Sequence, residues 1–291
     1  LIALLLGPNG QLGSDIQKAN QSSAKPLELV PISRARLDIE DLEACSNALG
    51  SLDFDVLINC SSYHKTDEVE AHAQRAVTVN AHAVQRMAEI CAQKKARFVH
   101  ISTDYVFGGY PRNTPFGEED AKAPVNVYGA TKAMGEDLAL LACDNVVIAR
   151  VASLFGVAGA SGKGGNFVET MLNFGREKGQ VSVVADQYMS PTSTADAAEI
   201  ILRALKNQVP SGIYHVVNSG SASWWEFAAR IFERCRANVE CKPIATSEFL
   251  TKAKRPRYSV LSNLKIAKSL DITPHNWQVA LDNYLAAKGY R

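Results

Sequence analysis

The chain has 291 residues, 46% apolar and 21% charged, so it can bury a full core and is not a disordered tail. Lys and Arg total 31 against 30 Asp and Glu, a formal charge of +1, which excludes a global positive field for holding nucleic acid or an anionic membrane. The apolar run Leu1–Leu6 is far too short for a membrane span, and a secretory leader is not expected from it. The 6 cysteines are dispersed without a CxxC pair, and the expectation is a soluble, reduced, cytoplasmic protein.

Along the first half, short apolar runs alternate with longer amphipathic ones. Ile2–Leu6, Glu28–Ile32, Val56–Cys60, Arg97–Ser102 and Val146–Val151 are predicted strands, rich in Val, Ile or Leu and too short for ordinary helices. Gln11–Lys18, Ile39–Ala48, Ala71–Lys94 and Tyr128–Ala142 are predicted helices. This alternation implies parallel strands joined by right-handed crossovers, an α/β doubly wound parallel sheet of Rossmann type. After residue 151 the rhythm changes. Gly156, Gly159, Gly162, Gly164 and Gly165 predict a mobile loop, followed by strands at Val181–Ala185 and Ile213–Val217 and helices at Ala195–Leu205 and Trp224–Cys235. The expected division is a dinucleotide-binding part, residues 1–154 and 181–220, and a smaller C-terminal α/β part for substrate, residues 155–180 and 221–291.

Gly7-Pro8-Asn9-Gly10-Gln11-Leu12-Gly13 stands directly between the first strand and the first helix. Glycine tolerates positive φ and close ligand approach, and a helix N-terminus offers free N–H groups to a pyrophosphate. A purely structural turn is the alternative, but the position favours a dinucleotide. After the second strand come Ser33 and Arg34, with no acid until Asp38; a basic residue there suits a 2′-phosphate, so NADPH is expected, NADH being an alternative. A solvated surface arginine is the plainer explanation.

Tyr128 and Lys132 are four apart and share a helix face. A phenol ordinarily titrates near about 10, and a nearby ammonium lowers it, making the pair a candidate proton donor to a carbonyl oxygen. Tyr284 and Lys288 repeat the spacing without a preceding strand end, and are expected to be an ordinary helix face. Thr103, at the end of the fourth strand, is placed to bond the same substrate oxygen.

Taken together these residues resemble the extended short-chain dehydrogenase/reductase superfamily and, within it, the dTDP-4-dehydrorhamnose reductase family. The likeness is carried by Gly10–Gly13, Asp38-Ile39, Ser102–Phe107, Tyr128-Gly129-x-x-Lys132, Asn166–Val168, Val184–Gln187 with Ser190–Thr192, and Arg255-Pro256-x-Tyr258–Leu261. It implies NAD(P)H-dependent reduction of the C4 ketone of a nucleotide-linked 6-deoxy sugar, with Tyr128 as the acid, Lys132 tuning it and Thr103 as hydroxyl partner. Gly7, Gly10, Gln11, Leu12 and Gly13 would hold the pyrophosphate, Asp38 and Ile39 would lie at the adenine, Ser61, Ser62 and Tyr63 would line the dinucleotide, and Asn80 would support the site. Asp104, Ser153, Asn166, Gln187, Pro191 and Arg255 would face the substrate. Ser153 stands where the family often has an aromatic residue, which bears on the hexose.

The alternatives are a non-catalytic NADP-binding regulatory subunit and a ketoreductase or epimerase for a different nucleotide sugar. The histidines form no metal-ligand pattern and no metal is expected; nor are nucleic-acid or membrane partners, while a homodimer is left open. Trp224 and Trp225 are expected in core packing.

Overall fold

The computed structural model describes residues 1–159 and 165–290, so the expected glycine loop lies in part, at 160–164, outside the described residues. Strands β1 (Ile2–Leu6), β2 (Glu28–Ile32), β3 (Val56–Asn59), β4 (Arg97–Thr103), β5 (Val146–Val151) and β6 (Gly212–His215) form a six-stranded sheet. Its order is β6-β5-β4-β3-β1-β2, and each pairing is parallel. Side chains alternate between two faces, as the period of a strand requires. Ala3 and Leu5 of β1 point to one core with Val99 and Val147, while Leu4 and Leu6 point to the other with Phe98 and Ile148. The first core is covered by α1 (Gln11–Gln21) and α6 (Thr194–Lys206), the second by α2 (Leu42–Ser51), α3 (Ala83–Lys94) and α4 (Val127–Ala142). Burying each of these Leu or Phe side chains contributes about 1.5–3 kcal/mol.

A third core lies outside the sheet. It joins α5 (Phe167–Lys178), α7 (Trp224–Arg234) and α9 (Trp277–Ala287) to a two-stranded parallel pair, Gln180–Val184 with Glu240–Ile244. This moves the expected boundary: Val181 and Val183, grouped from sequence with the dinucleotide-binding part, pack against Phe227 and Ile231 instead. Conversely, Ile266 and Leu270 of α8 (Leu264–Leu270), expected in the smaller part, pack on the sheet. Trp224 and Trp225 flank this third core, Trp224 tilted against Phe167 at 4.7 Å between ring centroids.

The long helix expected over Ala71–Lys94 is interrupted. It begins at Ala73 and carries a π-helical turn over Thr78–His82 before α3 continues. Helix α2 starts later than Ile39 because the Asp41 side chain caps it, accepting from Ala44 N at 2.9 Å. Among the described residues no helix is long and apolar enough to cross a membrane.

Candidate active site

Parallel pairing puts the carboxyl ends of β1, β3, β4 and β5 on one edge, and the strand order reverses between β1 and β3. That reversal opens the crevice in which ligands of such sheets bind. At the end of β1 the chain turns sharply: Gly7 has φ +72, and a Cβ on Gly13 would sit 2.2 Å from the Gly7 carbonyl oxygen. Only glycines allow α1 to start this close to the strand. Gly10 caps α1 without a side-chain hydrogen bond and the first turn holds no acid, so its N–H groups and positive dipole end stay available to an anion. Gln11 donates to Leu154 O at 3.2 Å, and its buried Oε1 has no partner.

At the second strand, Arg34 is already engaged. Its Nε and Nη2 reach Asp38 Oδ2 at 3.1 and 2.8 Å, and Nη2 lies 3.6 Å from Glu40. The adjacent guanidinium helps to hold the Asp38 carboxyl below its usual range, against desolvation that pushes it up. Ser33 O accepts from Arg36 N and Leu37 N, closing the turn. The Ile39 side chain, expected at the adenine, is buried in the second core.

After β3, Ser61 N donates to Asn59 Oδ1 at 2.9 Å, and Ser62 O lies 3.3 Å from His64 Nδ1. Asn80, in the π-helical turn, clamps Tyr63: Oδ1 accepts from Tyr63 N at 2.9 Å and Nδ2 donates to Tyr63 O at 3.0 Å and to Thr131 Oγ1 at 3.2 Å. The extra residue of a π turn displaces the helix locally, and here the displaced segment joins the loop after β3 to α4. The Tyr63 phenol donates to Glu68 Oε1 at 2.8 Å, and Arg75 lies over its ring.

The fourth strand runs into a short 3₁₀ turn, Asp104–Val106. Thr103 Oγ1 accepts from Tyr105 N at 3.2 Å and donates to Asp104 Oδ1 at 3.1 Å, while Ser259 Oγ donates to Asp104 Oδ2 at 2.5 Å. Desolvation outweighs these bonds and pushes the Asp104 carboxyl up to about 6. Helix α4 is capped by Asn126, which accepts from Gly129 N at 2.8 Å and donates to Lys254 O at 2.8 Å. A Cβ on Gly129 would lie 2.1 Å from Tyr105 O, so this glycine lets the first turn of α4 rest on the end of β4. Tyr128 thereby stands beside Thr103: burial pushes its phenol well above the usual value, opposite to the lowering expected from Lys132, and it is the Thr103 hydroxyl that pulls against that. One turn on, Lys132 is fully buried, donating to Ile101 O at 2.6 Å and lying 3.0 Å from His100 Nε2; burial brings its amine down to about 8. A turn further, Glu136 binds Arg150 with both oxygens and accepts from Ser102 Oγ.

The residues expected on the sugar side are used unevenly. Ser153, at the end of β5, adopts φ 42, a left-handed conformation for a residue with a Cβ. Pro191 is buried, and the next residue, Thr192, donates its N–H to Ser153 O at 3.4 Å. Gln187 donates to Thr246 Oγ1 at 3.1 Å. Asn166 caps α5 and bonds Gly156 O and Tyr284 OH, which occupies both ends of its amide in holding the fold. Arg255 Nη2 pairs with Asp67 at 2.6 Å, and its buried Nη1 is without a partner. Tyr284 and Lys288 converge on Glu169, the tyrosine at 2.5 Å and the lysine at 3.5 Å, a structural cluster as its lack of a strand end suggested. Sequence reasoning passed over Asn59, His100 and Glu136. Glu136 continues the four-residue spacing of Tyr128 and Lys132, whereas Asn59 and His100 are polar residues inside apolar strands, where periodicity gives no signal.

A glycine turn at the reversal of a parallel sheet, facing a Tyr-Lys pair and a threonine hydroxyl, defines a dinucleotide-dependent oxidoreductase of the short-chain dehydrogenase/reductase type. A family model described as the RmlD substrate binding domain matches residues 2–289. The spore coat polysaccharide biosynthesis protein SpsK of Bacillus subtilis is 34% identical over 97% of this chain and 96% of its own, and the dTDP-4-dehydrorhamnose reductase of Mycolicibacterium smegmatis 35% identical over 98% and 85%. The crystal structure of a dTDP-4-dehydrorhamnose reductase from Bacillus anthracis in complex with NADP superposes with a TM-score of 0.90 at 32% identity, covering 98% of this chain and 99% of that one. The chain belongs to the dTDP-4-dehydrorhamnose reductase family.

Proposed function

We propose that the protein reduces the C4 ketone of dTDP-4-dehydro-L-rhamnose to give dTDP-L-rhamnose, using NADPH. The observation that carries this reading is the Tyr128 phenol set against the Thr103 hydroxyl at the sheet edge, in a chain whose relatives bear that activity as their name. The crevice fits a dinucleotide: the uncapped start of α1 suits a pyrophosphate, and the unpartnered Gln11 Oε1 beside it can accept one further hydrogen bond.

A bound reduced nicotinamide supplies the hydride. Tyr128 donates its phenolic proton to the ketone oxygen as that oxygen gains charge, and the Thr103 hydroxyl steadies the same oxygen once its single proton turns from Asp104 Oδ1 to the substrate. Desolvation that keeps the phenol protonated suits an acid in the reductive direction. Lys132, as the ammonium, stabilises the phenolate that remains. On the sugar side, Asp104 is held by Thr103 and Ser259. Arg255 offers its unpartnered Nη1 to the nucleotide diphosphate, a match of guanidinium to phosphate. Ser153 leaves the space beside the hexose less filled than an aromatic would.

The test is product analysis with purified protein, NADPH and dTDP-4-dehydro-L-rhamnose. Consumption of one NADPH per dTDP-L-rhamnose formed is expected. Conversion of the sugar with no net cofactor oxidation would identify an epimerase instead, and cofactor binding without turnover would favour the regulatory alternative.

A further inference from the structure

His100 is completely buried in the middle of the sheet, stacked on Phe98, and has no part in the acid–base set described above. Its hydrogen bonds can be counted. Ser61 N donates to Asn59 Oδ1 at 2.9 Å, so the amide nitrogen of Asn59 is the end that faces His100, 3.2 Å from Nδ1. An amide N–H can only donate, so Nδ1 accepts and carries no proton. Burial, together with the neighbouring Lys132, holds the imidazole well below its ordinary pKa, leaving it a single ring proton. That proton is therefore on Nε2, pointing at Lys132 Nζ 3.0 Å away. A neutral amine can accept it and still donate to Ile101 O, whereas an ammonium would oppose donor to donor.

We propose that His100, its tautomer fixed by Asn59, is a positioning residue that favours the uncharged amine of Lys132 and so sets the alkaline limit of turnover. The proposal rests on the reductase reading, in which the phenolate left on Tyr128 needs a cation beside it. Among the described residues, the groups facing Lys132 come from β4, from the loop after β3 and from α4 itself, where Tyr128 stands one turn before it. His100 and the Ile101 carbonyl come from β4, the Cys60 thiol lies after β3, and Glu136 stands one turn along α4. Burial pushes the thiol up to about 12, so it is uncharged; Glu136 favours the ammonium, against the desolvation that favours the amine. His100 adds to the desolvation side by offering a proton that only the amine can accept.

Two substitutions reverse that offer. Asn59→Asp keeps an acceptor for Ser61 N and turns its other oxygen to His100, which moves the ring proton to Nδ1 and frees Nε2 to accept from the ammonium. His100→Gln places a side-chain oxygen within reach of Lys132. Both are expected to move the alkaline limb of the kcat–pH profile upward by about one unit, a tenfold change in the protonation equilibrium. A profile whose limb stays in place in folded variants would overturn the proposal. Independently of activity or of the variants' folding, nitrogen-15 NMR of imidazole-labelled wild-type protein reads the tautomer directly. A proton on Nε2 of His100 is expected, and one on Nδ1 would overturn the proposal. An inactive wild type that nonetheless shows the Nε2 tautomer would count against the reductase reading, and with it against the assigned role in turnover.

Discussion

Glu136 ties the helix that carries Tyr128 and Lys132 to the strands beneath it, and the substitution Glu136→Gln isolates its contribution. In the folded protein Oε1 accepts from Arg150 Nε at 2.9 Å and from Ser102 Oγ, and Oε2 accepts from Arg150 Nη2 at 2.7 Å, with Lys122 Nζ 3.6 Å away. Glu136 and Arg150 are both essentially inaccessible, at 0% and 1% exposure. Glutamine keeps the shape but removes the charge and turns an NH₂ group toward one of the guanidinium donors. Arg150 then remains buried and charged with only partial compensation from His215 at 3.3 Å and the Phe107 ring. Breaking a buried pair in this way costs about 3–5 kcal/mol, a large part of the roughly 5–15 kcal/mol that stabilises a domain. Urea unfolding of both proteins measures it: for a slope of roughly 3 kcal/mol/M the midpoint falls by at least about 1 M. The double variant Glu136→Met/Arg150→Met removes both charges and is expected to be more stable than Glu136→Gln, since no unpaired charge remains. A loss below about 1 kcal/mol in Glu136→Gln would refute the view that the pair fixes α4.

Further outcomes follow from the same geometry. Gly129→Ala forces its Cβ against Tyr105 O, 2.1 Å away, and is expected to lower kcat by about tenfold or more by displacing Tyr128, with a smaller effect on NADPH affinity; steady-state kinetics and cofactor titration separate the two. Asp104 has its folded pKa raised to about 6 from 3.8, so its contribution to stability is fully present below the unfolded value and is lost as pH rises through about 6. Wild type should therefore lose on the order of 2–3 kcal/mol relative to Asp104→Asn between these limits, as read by denaturation at several pH values. Asp38→Asn releases Arg34 from an exposed pair worth up to about 1 kcal/mol, and is expected to favour NADPH over NADH by up to roughly fivefold in the ratio of kcat/KM values. An unchanged ratio would show that Arg34 does not meet the 2′-phosphate.

The sheet was legible because central strands buried on both faces are written as near-continuous apolar runs, as in Ile2–Leu6 and, but for Arg150, Val146–Val151, both of which have the ends that the sequence suggests; the edge strand Glu28–Ile32 also has the expected ends, although Glu28 and Pro31 are exposed. Such a run says that a segment is buried but not what covers it, and Gln180–Val184 consequently belongs to a different core from the one expected. The π turn at Thr78–His82 was invisible because one added residue barely disturbs a helical pattern, although it places Asn80 for its three bonds. Thr103, Tyr128 and Lys132 stand out in the sequence because a strand end precedes the pair, and the structure brings Tyr128 beside Thr103 with Lys132 one turn on. Asn166 carries a recognisable motif, yet its amide is taken up in capping α5. Arg34 has the charge a 2′-phosphate needs, but sequence alone did not show that Asp38 already holds it.

The most direct test of the central claim compares wild type with Tyr128→Phe, following nicotinamide absorbance with NADPH and dTDP-4-dehydro-L-rhamnose and measuring NADPH binding alongside. Tyr128→Phe is expected to bind NADPH like wild type and to lose turnover by at least about a hundredfold, the scale of a positioned general acid. Turnover equal to that of wild type would remove Tyr128 as the proton donor and with it the mechanism proposed for this site.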